Sequence, residues 1–420
     1  MARPYHCFVL ASMRYAGYRW LWVSNAAGNS GRWAFSMAIG WLTLQLTHSG
    51  FAVGAAVFAT SGPIILVSPL AGLLADRFDR RLVLAAAFAV SALASGGIAL
   101  LSLMHLLTVP ALLLLATAFG IGFAVQIVAW NVIVPQLVPA DELLNAISLA
   151  AIARQGSEFL GPALATPLFV VAGPAAAFGL CFVLYVLAVA LTLPIPACLP
   201  LGYEGSGLLE PVVQGLRYMR GVGVVWLLIV LVGLHCTLTM SYMGLLPSFV
   251  AGTLHGGDPL YGTIMTVVGL GAILGSLALA AVTGLRRRGP WLLWTAVVSG
   301  LSLVVLGEAH DATVAIVAAF LVGSSQTMFM SVALALLQGW AKDEYRGRVT
   351  SVYNLLSGGP MALMGWGDGG LADVYPPALV LVASGLTFVA LLGAIAVRSA
   401  DLRRLFSRGG SSLVREPALP

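Results

Sequence analysis

The chain has 420 residues, of which 60% are hydrophobic and only 9% charged, and its formal net charge is +5. Soluble globular chains carry roughly 25% charged residues, so this composition cannot cover a water-facing surface of this size. The basic residues sit in short clusters between apolar runs, which reads as membrane topology and not as a nucleic-acid-binding face.

The N-terminal stretch MARPYHCFVLASMRYAGYRW is interrupted by Arg14 and Arg19 and lacks the pattern of a cleavable signal peptide. The first apolar helix is expected to act as its own insertion signal. A helix crossing roughly 30 Å of hydrocarbon needs about 20 residues. On that length the sequence predicts twelve spans, at 20–47, 52–75, 82–104, 108–138, 142–172, 174–196, 222–250, 259–284, 290–308, 312–340, 346–372 and 375–397. The 48 glycines and 21 prolines are tolerable in such helices, where neighbours repair the backbone and small residues permit close packing. Spans one, four, five, seven, ten and eleven are long and hold polar or glycine residues, which suggests tilt and an aqueous cavity. The longest connection runs from about 197 to 221, with an amphipathic surface helix expected around Leu208–Tyr218.

Arg77, Arg80 and Arg81 follow span two, and Arg217 and Arg220 precede span seven. Arg286, Arg287 and Arg288 follow span eight; Lys342, Arg346 and Arg348 follow span ten; Arg398, Arg403, Arg404 and Arg408 follow span twelve. The odd-to-even connections contain no Lys or Arg. This asymmetry predicts a multi-pass protein of the bacterial inner membrane with both termini in the cytoplasm.

The chain also reads as a duplication. Gln136, Asp141 and Glu142 recur 202 residues later as Gln338, Asp343 and Glu344, at the entrance to the next span in each half. An even number of spans per half makes the repeats parallel. The expected divisions are a six-helix bundle over 1–197, a linker over 198–221, a second bundle over 222–398 and a tail over 399–420. Cys7, Cys181, Cys198 and Cys236 have neither metal-ligand nor redox spacing, and no cofactor or metal is expected.

Between spans two and three stands GLLADRFDRR. Gly72 permits a close helix contact, Asp76 can accept bonds from basic residues or a helix N-terminus, and the arginines can pin the loop to anionic headgroups. With Gly72, Asp76, Arg77, Arg80 and Arg81 in place, this resembles the signature loop of the major facilitator superfamily. The stretch LRRRGP, at the matching place in the second half, keeps only charge and glycine. The segments WLTLQLTHSGFAVGAA, VPADELLNAISL, QGLRYMR and YRGRVTSVYNL extend the likeness over nearly the whole chain. They resemble the drug:H+ antiporter branch that includes macrolide-efflux and enterobactin-exporter-like proteins.

The resemblance implies an all-α fold of twelve transmembrane helices in two parallel six-helix halves. It also implies that the Gly72–Arg81 loop latches the halves in one state and releases them in another. Gly161 and Pro162 resemble the span-five element of antiporters, with Thr166 where a second glycine is expected.

Charge at the bilayer centre costs roughly 2.5–3.5 kcal/mol on insertion scales and normally faces a cavity or a partner. Asn25, Asn29 and Arg32 share one face of span one. Arg32 is a candidate for binding an anionic group or for a structural ion pair. Arg154 and Glu158 stand at i, i+4 in span five, and an Arg32–Glu158 pair is expected. Glu158 and Asp368 are the proton-coupling candidates, since a carboxyl in apolar surroundings suits proton binding; Asp373 reads as a solvated helix end. Gln126, Trp130, Asn131, His235, Tyr242, Gln326, Tyr353 and Asn354 are further cavity candidates, of a kind that suits an amphipathic or aromatic solute.

These readings describe a non-enzymatic secondary transporter. Proton-coupled efflux of a small amphipathic molecule, drug or siderophore-like, leads. Import of a metabolite or cofactor, and a non-transporting membrane sensor, stand as alternatives. No ATP-binding G-x-x-x-x-G-K-[ST] loop occurs. The expected partners are a small-molecule substrate, protons and membrane lipids, without nucleic acid, and the chain is expected to act as a monomer.

Overall fold

The computed structural model describes residues 10–199, 210–282, 288–400 and 402–404. Cys7, Arg286, Arg287, Arg408 and most of the expected tail lie outside them. The described chain is all-α. Its helices are α1 (Ala16–Thr47), α2 (Gly50–Ser61), α3 (Pro63–Arg77), α4 (Arg80–Leu103), α5 (Val109–Leu137), α6 (Leu143–Thr192) and α7 (Glu210–Gly221). They continue as α8 (Gly223–Leu238), α9 (Leu246–Gly252), α10 (Asp258–Val282), α11 (Arg288–Gly307), α12 (Ala312–Trp340), α13 (Arg346–Ala372) and α14 (Pro377–Arg398).

Local chemistry sets the ends. Asp311 caps α12 by accepting from the Thr313 and Val314 amides at 2.9 and 3.0 Å. Asp79 caps α4 through the Arg81 amide. Proline opens α3 and α14, where its missing N–H costs nothing. The surface helix α7 is described over Glu210–Gly221, and the expected start at Leu208 lies outside the described residues.

Nine helical segments among the described residues are long and apolar enough to cross a membrane. One of them is the 50-residue α6, which Gly173 divides: at φ 76° it adopts a conformation that L side chains rarely take. The 32-residue α1 and the 27-residue α13 match the expected lengths but are too polar to count among the nine. The segment expected to be one helix over 222–250 is broken. It runs as α8, a short 3-10 turn at Ser241–Gly244, and α9. Gly244 packs directly on the Gly365 carbonyl of α13, leaving no room for a side chain.

α1 packs along α6, and α4 packs against both α5 and α6. α10 and α11 both pack on α12, and α14 packs on α11. Two seams join these groups: α2 with α13, and α6 with α10. Along the first, a Cβ on Gly50 would stand 2.5 Å from the Gly369 carbonyl, and one on Gly54 would stand 2.8 Å from the Trp366 Cα. Along the second, Gly269 lies against the Glu158 carbonyl and Gly262 against the Thr166 side chain. The glycine that Thr166 replaces is thus supplied from the opposite helix. Gly161 serves a different contact, against Ser30 and Ala34 of α1.

Candidate functional site

The charged residues of α1 and α6 meet where these helices run together. The Arg32 guanidinium lies over the Phe123 ring at 4.2 Å and beside the Trp33 ring at 4.9 Å. Arg32, Arg154 and Glu158 are within Coulombic reach of one another. The expected Arg32–Glu158 ion pair is not formed: no salt bridge within 4.0 Å joins any two of the three. Aromatic rings took the place of the carboxylate because Phe123 projects from α5 directly at Arg32. A cation–π contact is worth about 0.5–2 kcal/mol, whereas removing an ion from water costs several. The rings alone therefore leave Arg32 short of compensation.

Further groups face this region. Tyr242, from the 3-10 turn, is within Coulombic reach of Glu158, and Tyr353 of α13 is within reach of Arg154. The indole N–H of Trp33 and the Tyr242 hydroxyl are buried without a hydrogen-bond partner, and so are the Gln126 Oε1 atom and the Trp130 indole N–H on α5, one and two turns beyond Phe123. Each such atom costs about 1–3 kcal/mol, so a polar occupant would relieve several at once. Asn29 donates to Asn25 at 3.0 Å within α1. Asn131 and Asn354 are exposed.

A second polar cluster surrounds the break after α8. Gln326 donates to the Thr239 carbonyl at 2.6 Å, satisfying backbone that the broken helix releases. His235 is fully buried; its Nε2 meets the Ser299 hydroxyl at 2.9 Å, and its ring stacks on Phe329. The His235 Nε2 and the Gln326 amide are engaged by Ser299 and the Thr239 carbonyl, so their place is in helix packing. Asp368 is 2% exposed. Its Oδ2 accepts from Ser241 at 2.6 Å, and its Oδ1 has no partner.

The Gly72–Arg81 loop is held by its own neighbours. Arg80 is buried, donating to the Ala75 carbonyl at 3.1 Å and pairing with Asp76 at 3.7 Å. Arg81 donates to the Ile195 carbonyl at 3.0 Å and pairs with Asp79 at 3.3 Å. Asp79 also accepts from the Cys198 amide. Arg81 ties the loop to the end of α6 and Arg80 folds back on α3, so neither is spread on headgroups; Arg77 is exposed. Nothing described lies within 4 Å of a Cβ built on Gly72.

Asp373 does more than its expected role. It is an exposed helix end, as expected, but it also bridges the α2–α13 seam. It accepts from the Gly50 amide at 2.5 Å, the Ser49 hydroxyl at 2.7 Å and the Phe51 amide at 3.1 Å, capping α2 from across the interface. Burial pushes its carboxyl up, but the Ser49, Phe51 and Gly50 bonds outweigh this and hold it below its ordinary value. A lowered value stabilises the bridge above the ordinary carboxylate range, and the contribution disappears only as pH falls through the lowered value. The bridge therefore stays ionised at neutral pH. The sequence signal for it was Ser49 in cap position before Gly50 and Gly54.

A multi-pass helical fold that holds charge at membrane depth points to a path for solutes or ions through the membrane. Residues 8–416 match the family model described as transmembrane secretion effector, and the chain belongs to that family. It is a secondary transporter of small molecules. Curated relatives include the staphyloferrin A transporter of Staphylococcus aureus, 24% identical over 77% of this chain and 81% of that one. The enterobactin exporter EntS of Shigella boydii is 23% identical over 86% of each chain. Macrolide efflux protein A of Streptococcus pyogenes is 23% identical over 79% of this chain and 83% of that one. Among solved structures, a POT family transporter bound to 5-aminolevulinic acid superposes with a TM-score of 0.75 at 11% identity, covering 92% of this chain and 96% of that one. The nucleoside transporter NupG gives 0.70 at 14% identity, covering 91% and 99%. At these identities the structures establish the fold alone.

Proposed function

We propose that the chain exports a small amphipathic molecule in exchange for protons, by alternating access between two six-helix halves over 1–197 and 222–398. The nine apolar segments, the division of α6 at Gly173 and the long polar helices α1 and α13 together support twelve spans. The clustering of arginines on one set of connections supports cytoplasmic termini, with Asp76–Arg81 at the inner end and Ser49 and Asp373 at the outer end.

The observation that carries alternating access is the state of one helix pair. At the outer end α2 is sealed on α13 through Gly50, Gly54, Gly365 and Gly369, under the Asp373 cap. At the inner end Gly72 and Gly347 both face open space. α2 and α3 form one 28-residue span, since Gly62 between them keeps helical backbone angles (φ -61°, ψ -36°); eighteen residues separate Gly54 of α2 from Gly72 of α3, and eighteen separate Gly347 from Gly365 on α13. At 3.6 residues per turn that is five full turns, so each pair shares one helix face. The contact made at the outer end has a counterpart at the inner end, in register and unmade. Rocking the halves would exchange one for the other, with the Gly72–Arg81 loop as the inner gate.

Asp368, against a broken helix and with one oxygen unpartnered, supports proton binding there; Glu158, on the α6–α10 seam, is the second candidate. Gly161–Pro162 and the names of the curated relatives favour export. The test is reconstitution in liposomes with an imposed pH gradient, using the compounds named by the relatives, staphyloferrin A, enterobactin and a macrolide, as solutes. At least one should move against its gradient and stop when the pH gradient is collapsed. Flux indifferent to the gradient would remove the coupling.

A further inference from the structure

We infer that the region around Arg32, where α1 and α6 meet Phe123 of α5, binds an anionic, oxygen-rich aromatic solute, with Arg32 as the residue that determines its charge preference. This deepens the transport reading above and rests on it. Arg32 is a cation without a salt bridge to either charged neighbour, held face-on by Phe123. The local charges are two arginines against one glutamate, a surplus of one positive charge. A ligand carboxylate or sulfonate would supply the missing countercharge in bidentate geometry, the form of recognition for which guanidinium is suited.

Hydrogen bonding points the same way. The unpartnered Trp33 and Trp130 indoles can only donate, so with the guanidinium groups the site is rich in donors. A cationic amine would leave these donors unmet and meet repulsion from Arg32. Phe123, Gln126 and Trp130 recur at i, i+3 and i+7 on α5, so one helix face carries ring surface beside the charge. That face accepts an aromatic frame.

The experiment measures equilibrium binding to the purified full chain by calorimetry, with no gradient present. The probes are naphthalene-2-sulfonate and the same ring carrying a methylene-linked trimethylammonium group. Both charges are permanent, so pH does not confuse the comparison. The wild type should bind the sulfonate at least tenfold more tightly than the ammonium compound. Arg32→Gln should lose at least tenfold in sulfonate affinity, whereas Arg398→Gln, at the end of α14, should not change it. Glu158→Gln should bind sulfonate more tightly, about threefold, because it removes the competing negative charge. Damage to the fold cannot produce that gain, and the wild-type preference needs no variant. Equal or reversed preference, no binding of either probe, or undiminished sulfonate binding by folded Arg32→Gln would overturn the assignment. Because the assay needs no flux, sulfonate binding without proton-driven transport would count against the coupling and leave the anion site standing.

Discussion

Replacing Gly54 with leucine is expected to cut transport at least tenfold and to open the outer end. A single Cβ there would stand 2.8 Å from the Trp366 Cα and 2.9 Å from the Gly365 carbonyl, both backbone atoms that cannot swing aside. Overpacking of this kind costs about 1–3 kcal/mol, and 1.4 kcal/mol is a tenfold change in an equilibrium. The cost falls on the outward-closed state alone. Gly72→Leu should do the reverse, since the inner end has space for it now and loses that space on closing. The measurement is labelling of Ser248→Cys, on α9 in the outer half, by a membrane-impermeant maleimide in a chain without its four native cysteines. Labelling should rise at least fivefold with Gly54→Leu and fall with Gly72→Leu. Equal labelling in both would mean that the α2–α13 seam does not govern access.

The second large effect is expected from Asp368→Asn. The asparagine oxygen can still accept from Ser241, so the helix break keeps its hydrogen bond. What it loses is the ability to take up and release a proton. Uptake driven by a pH gradient should drop at least tenfold, while solute exchange at equal pH on both sides should stay within threefold of wild type. Glu158→Gln should show the same split if both carboxylates carry protons. Preserved gradient-driven uptake in both variants would remove these residues from the coupling step. Loss of exchange as well as uptake in Asp368→Asn would assign that residue to structure.

Length and hydropathy made much of the fold legible. The expected 312–340 and 346–372 coincide with Ala312–Trp340 and Arg346–Ala372, because polar turns interrupt otherwise continuous helical stretches there. The expected division between 172 and 174 falls on Gly173, whose positive φ only glycine adopts readily. The break after Leu238 was not legible, because HCTLTMSYMGLLPS mixes Thr and Ser into an uncharged run much as other spans do, and the backbone that meets the turn, at Gly365, lies in another helix.

The candidate site divides in the same way. Arg32, Arg154, Glu158 and Asp368 could be recognised because charge inside an apolar run is conspicuous. Their partners could not. The spacing of Arg32 from Glu158 says nothing about Phe123, which arrives from a third helix. The bridging role of the exposed Asp373 was not visible because its partners, Ser49 to Phe51, lie more than three hundred residues away in sequence. Arg80 likewise looked like a headgroup contact until the fold turned it inward to Ala75.

The account turns on one helix pair closing alternately at its two ends, and cross-linking Gly72→Cys to Gly347→Cys in the cysteine-free chain tests it most directly. A disulfide needs Cα atoms about 4.4–6.8 Å apart, and neither position now has a neighbour within 4 Å of its Cβ direction. The predicted result is a cross-link that forms as the protein turns over, stops transport and is reversed, with recovery of transport, by reductant. A pair that never cross-links during turnover, or one that cross-links without slowing transport, would contradict it.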